Sequence, residues 1–263
     1  MAPISRAEEL VVAQLAREPR DADSIRLLAE IRLDQHRYRE SLELLNEARE
    51  LGDFSSGNRL LGGLNYMAVK RLDLAEPELR AATLDASNSR AFYYLGRLLY
   101  TKNQFADALA NTQKAISLDP AFIRAYDNLG LCYQALGDVS DAKTAFLDGI
   151  HRQEETGQRI EWPALDLGAM LIEQGAYDEA KPYIQRAIAI NPDSAEAHDR
   201  FGQILEEQGN LSDAISELQR AVALDPKLAR AHYRAAHLYQ RIGKADEARR
   251  ELAEFQKDVL AKK

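Results

Sequence analysis

The sequence predicts an all-α fold, an α-α superhelix of stacked helical hairpins. Three observations carry that prediction. Strand signals are missing: no stretch keeps the period-2 alternation of a half-buried strand, and nearly every segment is rich in Ala, Leu, Glu, Arg and Gln, which favour helix. A pair ending in Gly or Ala recurs at Leu28-Ala29, Leu61-Gly62, Leu95-Gly96, Leu129-Gly130, Leu167-Gly168, Phe201-Gly202 and Ala235-Ala236, with separations of 33, 34, 34, 38, 34 and 34 residues. Breakers keep the same rhythm. Gly137, Gly175, Gly209 and Gly243 separate first helices from second ones, and Pro120, Pro192 and Pro226 follow the second helices.

In chain order, residues 4–18 read as a lone helix ended by Pro19, the second helix of a half-unit that covers the first full unit. Seven units follow, near 22–54, 55–88, 89–122, 123–160, 161–194, 195–228 and 229–263. Residues 1–21 are thus expected to cap a single solenoid over 22–263. A glycine inside a helix costs about 1 kcal/mol against alanine. It recurs here because a side chain would hold the paired helices apart. The facing helix answers with Ser41, Ala108, Ala142, Ala180, Ala214 and Ala248, and one layer on with Ala48, Ala115, Gly149, Ala187 and Ala221, until Phe255 breaks the rule. In the second unit the small slots Ala75 and Ala82 are one residue out of frame, which predicts one extra residue in its inter-helix turn. Pro77 and Pro182 fall early in second helices, where the N–H groups lack acceptors anyway. The fourth unit carries four extra residues in HRQEETGQRIEWP, read as a longer connection, with Pro163 in the first turn of the next helix. The last helix leaves Leu252, Phe255, Val259 and Leu260 partly uncovered, as a homodimer seam or as fraying final turns.

The 34-residue period with these slots resembles the tetratricopeptide repeat (TPR) family, most clearly in SRAFYYLGRLLYTKNQFADALANTQKAISLDP, AYDNLGLCYQALGDVSDAKTAFLDGI and AEAHDRFGQILEEQGNLSDAISELQRAVALDP. The resemblance implies a right-handed TPR solenoid whose first helices line a concave face that binds a partner. The first two units depart from the pattern, with Ala29 for the glycine and Asn65 where the family has a large ring. The positions that the family turns into the groove are, in the third unit, Arg90, Tyr93, Tyr94, Arg97, Tyr100 and Thr101, with Phe92 and Leu95 pointing inward. Arg124, Asp127, Asn128, Leu131 and Gln134 join them from the fourth unit, and Arg59, Tyr66 and Met67 from the second. Arginine supplies forked donors for carboxylates, tyrosine gives flat apolar area with a polar tip, and an asparagine can hold an extended backbone through donor and acceptor together. Arg90, Tyr93, Tyr94, Arg97, Tyr100, Arg124 and Asn128 are therefore the candidate site for an acidic or aromatic peptide. Family members that clamp carboxylates use lysines at such slots. Those lysines are absent here, which counts against a chaperone-tail ligand.

Other chemistries find little support. The net charge of −8 speaks against a nucleic-acid partner. A single cysteine, Cys132, allows neither an intrachain disulfide nor a Cys-based metal site. His36, His151, His198, His232 and His237 form no HExxH. His198 and His232 fall in one slot of consecutive units and read as packing, and His237 as facing outward. No phosphate-cradling loop or nucleophile elbow occurs, so neither a cofactor nor enzyme activity is expected. No apolar run reaches the roughly 18–20 residues that span a bilayer, and Arg6, Glu8 and Glu9 stand where a signal peptide is apolar. A cytoplasmic protein without membrane insertion is expected, with a periplasmic one left open if a leader was removed. In the last two units Glu196, Asp199, Arg200, Glu206 and Glu207 face Arg230, Tyr233, Arg234, His237 and Arg241, and are expected to pair with one another. The sequence thus points to a non-enzymatic scaffold or adaptor. Two alternatives are an assembly protein that homo-oligomerises through its ends or convex face, and a regulatory subunit of a larger enzyme or secretion complex.

Overall fold

The computed structural model describes residues 6–260, with side chains through Lys257. Ile4 and Ser5 of the expected first helix, and the side chains of Val259 and Leu260, lie outside the described residues. Among these residues the structure is entirely helical. A lone α1 (Arg6–Arg17) precedes the hairpins α2/α3 (Ala22–Asp34, Tyr38–Glu50), α4/α5 (Ser56–Ala68, Leu72–Ala82) and α6/α7 (Ser89–Thr101, Phe105–Leu118). Next come α8 (Ile123–Leu136) and α9 (Val139–Thr156). Three further hairpins follow, α10/α11 (Trp162–Glu173, Tyr177–Ile190), α12/α13 (Ala195–Glu207, Leu211–Leu224) and α14/α15 (Ala229–Arg241, Ala245–Leu260). The chain divides into two compact units, Met1–Asp138 and Val139–Lys263. Within each, a helix packs on the next in chain order, and first helices of neighbouring hairpins also touch, α4 with α2 and α6, and α12 with α10.

The glycine rule has a physical basis. A Cβ at Gly168 would lie 2.5 Å from Ile184 Cδ1, and one at Gly202 would lie 2.9 Å from Leu218 Cγ and 3.2 Å from the Ala214 carbonyl oxygen. The paired helices meet backbone to side chain with no room for a methyl group.

The second hairpin corrects the sequence reading. The glycine that packs there is Gly63, whose Cβ would lie 2.6 Å from Leu79 Cγ and Cδ2, whereas one on Gly62 would meet only the tips of Arg49 and Glu78. The turn between α4 and α5 spans 69–71, as long as the 102–104 turn of the third hairpin, so it holds no extra residue. Counting from Gly63 moves Tyr66 into the slot of Tyr133 and Tyr239, so the ring that seemed missing at Asn65 is present. Asn65 is instead a core residue, its Nδ2 donating to Ser41 Oγ (2.9 Å) and to the Leu61 carbonyl (2.9 Å). Arg59 and Tyr66 consequently leave the set of groove positions, whereas Met67 moves to the slot that Tyr100 holds in the third hairpin. Tyr66 and Met67 pack on the core formed by Leu79, Leu95 and Leu99, and Arg59 sits 3.3 Å from Glu78.

The turn positions agree with this frame. Gly137, Gly175, Gly209 and Gly243 hold left-handed backbone, with φ between 74° and 89°. The same position in the first three hairpins is occupied by His36 (φ 59°), Lys70 (φ 60°) and Asn103 (φ 58°). A Cβ in that region crowds the following carbonyl, at a cost of about 1 kcal/mol, least for asparagine. Lys70→Gly is therefore expected to stabilise the first unit by up to about 1 kcal/mol, and Asn103→Gly by less. Chemical denaturation followed by circular dichroism checks the order of the two.

The four extra residues of the fourth unit also differ from expectation. They lengthen the helix rather than the loop: α9 has 18 residues against 14 in α7, α11 and α13. Its HRQEET end is built of residues that tolerate helix, until Gly157 at φ 69° stops it.

His198 and His232 are buried and polar-bonded. Each Nε2 lies 3.0–3.1 Å from the carbonyl of Pro192 or Pro226, an oxygen that can only accept, and each Nδ1 lies 2.6 Å from Glu217 or Glu251. Tyr126 spans the same distance in the fourth unit, its hydroxyl donating to the Pro120 carbonyl at 3.2 Å. A ring of this size in this slot pins the inter-repeat loop to the helix that follows it.

Candidate functional site

The site expected from the sequence lies wholly in the first unit, on α6 and α8. The Asn88 side chain accepts from the Ala91 N–H and fixes the start of α6, and with it the helical phase of the residues that follow. That phase divides the seven candidates into two groups.

Tyr93 and Asn128 do not stand on an open stripe. Tyr93 is 3% exposed, its ring tilted against Phe122 at 4.6 Å and edge-on to Tyr94 at 4.9 Å, and burial raises its hydroxyl pKa. Asn128, also 3% exposed, donates from Nδ2 to Thr112 Oγ1 at 2.6 Å, and that hydroxyl donates to the Ala108 carbonyl at 2.8 Å. The gap left by Gly96 admits this chain, since a Cβ there would lie 2.6 Å from Thr112 Oγ1 and 3.5 Å from Asn128 Nδ2. Asn128 therefore satisfies a core threonine instead of presenting an amide to a ligand.

Arg90, Tyr94, Arg97, Tyr100 and Arg124 remain, all at least partly exposed. Their guanidinium groups are thinly neutralised. Among the described residues the Arg97 guanidinium reaches only the Tyr93 hydroxyl, at 3.5 Å, and lies 6.0 Å from the centroid of the same ring. Arg90 has Glu30 of α2 at 3.7 Å, too long for a hydrogen bond. Arg124 has no ion-pair or hydrogen-bond partner among the described residues. Tyr100 leans on Phe105 at 5.4 Å, and Tyr94 on Tyr93, so the rings are braced from behind. Asp127 lies close enough to act on the Tyr93 hydroxyl and is the acidic group of the stripe. Sequence reasoning missed Glu30. It lies two hairpins before Arg90, and no local spacing signals such a pair.

In the second unit the charges pair with one another as expected. Asp199 is fully buried and receives Arg230 Nε at 2.6 Å and Arg234 Nη1 at 2.8 Å. Arg230 also meets Glu196 at 2.7 Å, and Arg241 donates to Glu206 at 2.9 Å, with His237 3.7 Å away. Cys132 is buried, which pushes its thiol up to about 12. Among the described residues no group of three or more His, Cys, Asp or Glu could hold a metal ion, and no helix is long and apolar enough to cross a membrane.

Comparison with known proteins agrees with the hairpin architecture. Three family models match, one described as a TPR repeat (residues 96–137) and two as tetratricopeptide repeats (123–155, and 171–223 with 205–258), together more than half of the chain. Lipopolysaccharide assembly protein B of Escherichia coli K12 is 27% identical over 137 residues, 51% of this chain and 34% of that protein. The chain thus matches about a third of the length of that relative. Among solved structures, YrrB, described as a TPR protein with an unusual peptide-binding site, is 26% identical with a TM-score of 0.51, over 67% of this chain and 90% of that one. The Pseudomonas aeruginosa pilF structure covers 82% of this chain and 97% of its own at a TM-score of 0.69 and 19% identity, a likeness of fold alone.

Proposed function

We propose, from the premise that the chain belongs to the tetratricopeptide repeat family, that it is a non-enzymatic scaffold holding an extended, acidic segment of a partner protein on the α6–α8 face. The observation that carries this reading is the group of three arginines among the described residues: Arg97 and Arg124 have no ion-pair partner there, and Arg90 has only Glu30 at 3.7 Å, beyond hydrogen-bond reach. The braced rings of Tyr94 and Tyr100 supply apolar area beside them. A partner carboxylate supplies the acceptor these guanidinium groups lack, and the tyrosines give flat contact at little entropic cost. That YrrB carries a peptide-binding site, and that the Escherichia coli relative is an assembly protein, are in keeping with a scaffold role.

A photo-crosslinking residue placed at Tyr94 tests the reading in the native host. It is expected to capture a partner that the same residue at His151, exposed on α9, does not. Equal capture at both positions contradicts it.

A further inference from the structure

The charged cluster of α12 and α14 is one anion short. Three guanidinium groups, Arg200, Arg230 and Arg234, face two carboxylates, Glu196 and Asp199. Both oxygens of Asp199 are taken, one by Arg230 and one by Arg234; Glu196 Oε1 stands 2.7 Å from Arg230 Nη2, close enough for charge attraction but not in hydrogen-bond geometry, so that nitrogen too is buried without a hydrogen bond. Arg200 is left with that same Glu196 oxygen at 3.8 Å, beyond hydrogen-bond reach. Its Nε is buried without a hydrogen-bond partner, while 14% of the side chain stays reachable from solvent. A shielded guanidinium whose nearest counter-charge is shared and out of hydrogen-bond reach is costly, and buried polar groups are as a rule satisfied. One turn along the same helix face, Gln203 Oε1 is also buried without a donor.

We infer that Arg200, with Arg234 beside it and Gln203 one turn away, forms a second recognition point in the second unit, which takes an aspartate or glutamate side chain of a bound peptide. The carboxylate supplies the missing negative charge. Gln203 supplies an acceptor for a backbone N–H of the same segment, which fits a peptide carboxylate better than a free inorganic anion. Burial, with Arg230 and Arg234 close by, also holds the Arg200 pKa below the usual arginine value, against the pull of Glu196 and Asp199. The site is independent of the α6–α8 stripe, because every residue in it belongs to the other compact unit.

The test uses the full chain and a fluorescein-labelled Glu-rich peptide, with its Gln counterpart and inorganic phosphate as competitor. Three forms are compared by fluorescence anisotropy at low salt: the wild type, Arg200→Leu, and Arg90→Glu/Arg97→Glu. The wild type is expected to prefer the Glu peptide by about tenfold or more. Arg200→Leu is expected to lose most of that preference while melting no lower than the wild type, since it removes a shielded charge without a hydrogen-bonded partner. Arg90→Glu/Arg97→Glu is expected to keep the share of binding that belongs to Arg200. An unchanged preference in Arg200→Leu overturns the inference, as does a marked fall in its melting temperature, which would show that the guanidinium is already satisfied within the fold. Phosphate that displaces the Glu peptide at equal concentration also overturns it, since the site would then hold any anion. Loss of all binding in Arg90→Glu/Arg97→Glu alone would count for the first-unit stripe and against this second point.

Discussion

Gly63→Val is expected to destabilise the first unit by about 3 kcal/mol, whereas Gly62→Ala, one residue earlier, is expected to be neutral or to stabilise by up to about 1 kcal/mol. The contrast follows from what a side chain meets. At Gly63 a Cβ lies 2.6 Å from Leu79 Cγ, part of a fully buried side chain with no free space to retreat into. Relief requires α4 and α5 to separate, which also loosens the layer formed by Leu60, Leu95 and Leu99. At Gly62 the nearest atoms are Arg49 Nη2 at 3.0 Å and Glu78 Oε2 at 3.4 Å, the ends of long side chains that can shift by a few tenths of an ångström. The helix there gains the propensity of alanine. Denaturation midpoints of the two variants decide the register: the reverse order of stabilities would restore Gly62 as the packing glycine.

Asp199→Asn is expected to cost about 3–5 kcal/mol. The carboxylate is fully buried and binds two guanidinium groups, so its neutral isostere keeps the shape but leaves three arginines facing Glu196 alone. Arg241→Gln removes an ion pair from the same pair of helices, but an exposed one, and is expected to cost less than about 1 kcal/mol. The two costs are not independent of Arg200. In an Asp199→Asn/Arg200→Leu double variant, removal of one uncompensated charge is expected to recover part of the loss, which a double-mutant cycle of melting curves reads directly. Strict additivity would show that Arg200 does not share the electrostatics of this cluster.

Much of the architecture is legible in the sequence because it rests on local, repeated rules. A glycine that faces small residues and a breaker at fixed spacing recur often enough for one unit to vouch for the next. The second hairpin escaped for a specific reason. With Gly62 and Gly63 adjacent, both satisfy the pattern, and only the packing of Leu79 and the left-handed Lys70 distinguish them. The fourth unit escaped for another: an insertion of good helix formers is placed in a loop by its position and in a helix by its composition, and composition prevailed over one added turn of α9. The candidate site was half legible. Helical phase marks which side chains share a face, and the exposure of Arg90, Arg97 and Arg124 follows from it. Phase does not say how deep a face is covered. Tyr93 is drawn under Phe122, and Asn128 is drawn to a hydroxyl 16 residues earlier in sequence, a contact that exists only once α7 and α8 are packed. The buried triad of Asp199 with Arg230 and Arg234 was foreseen as pairing, yet the imbalance at Arg200 becomes visible only when distances are known.

The most direct test of a partner on the α6–α8 face is a quantitative pull-down from native host lysate, read by mass spectrometry. Wild type is compared with Arg90→Glu/Arg97→Glu after circular dichroism shows both folded. The two arginines are partly exposed and make only weak contacts, so the fold is expected to survive the charge reversal. The account predicts a protein with an acidic segment that the wild type retains and the variant loses. Equal retention of every partner by both forms would contradict it.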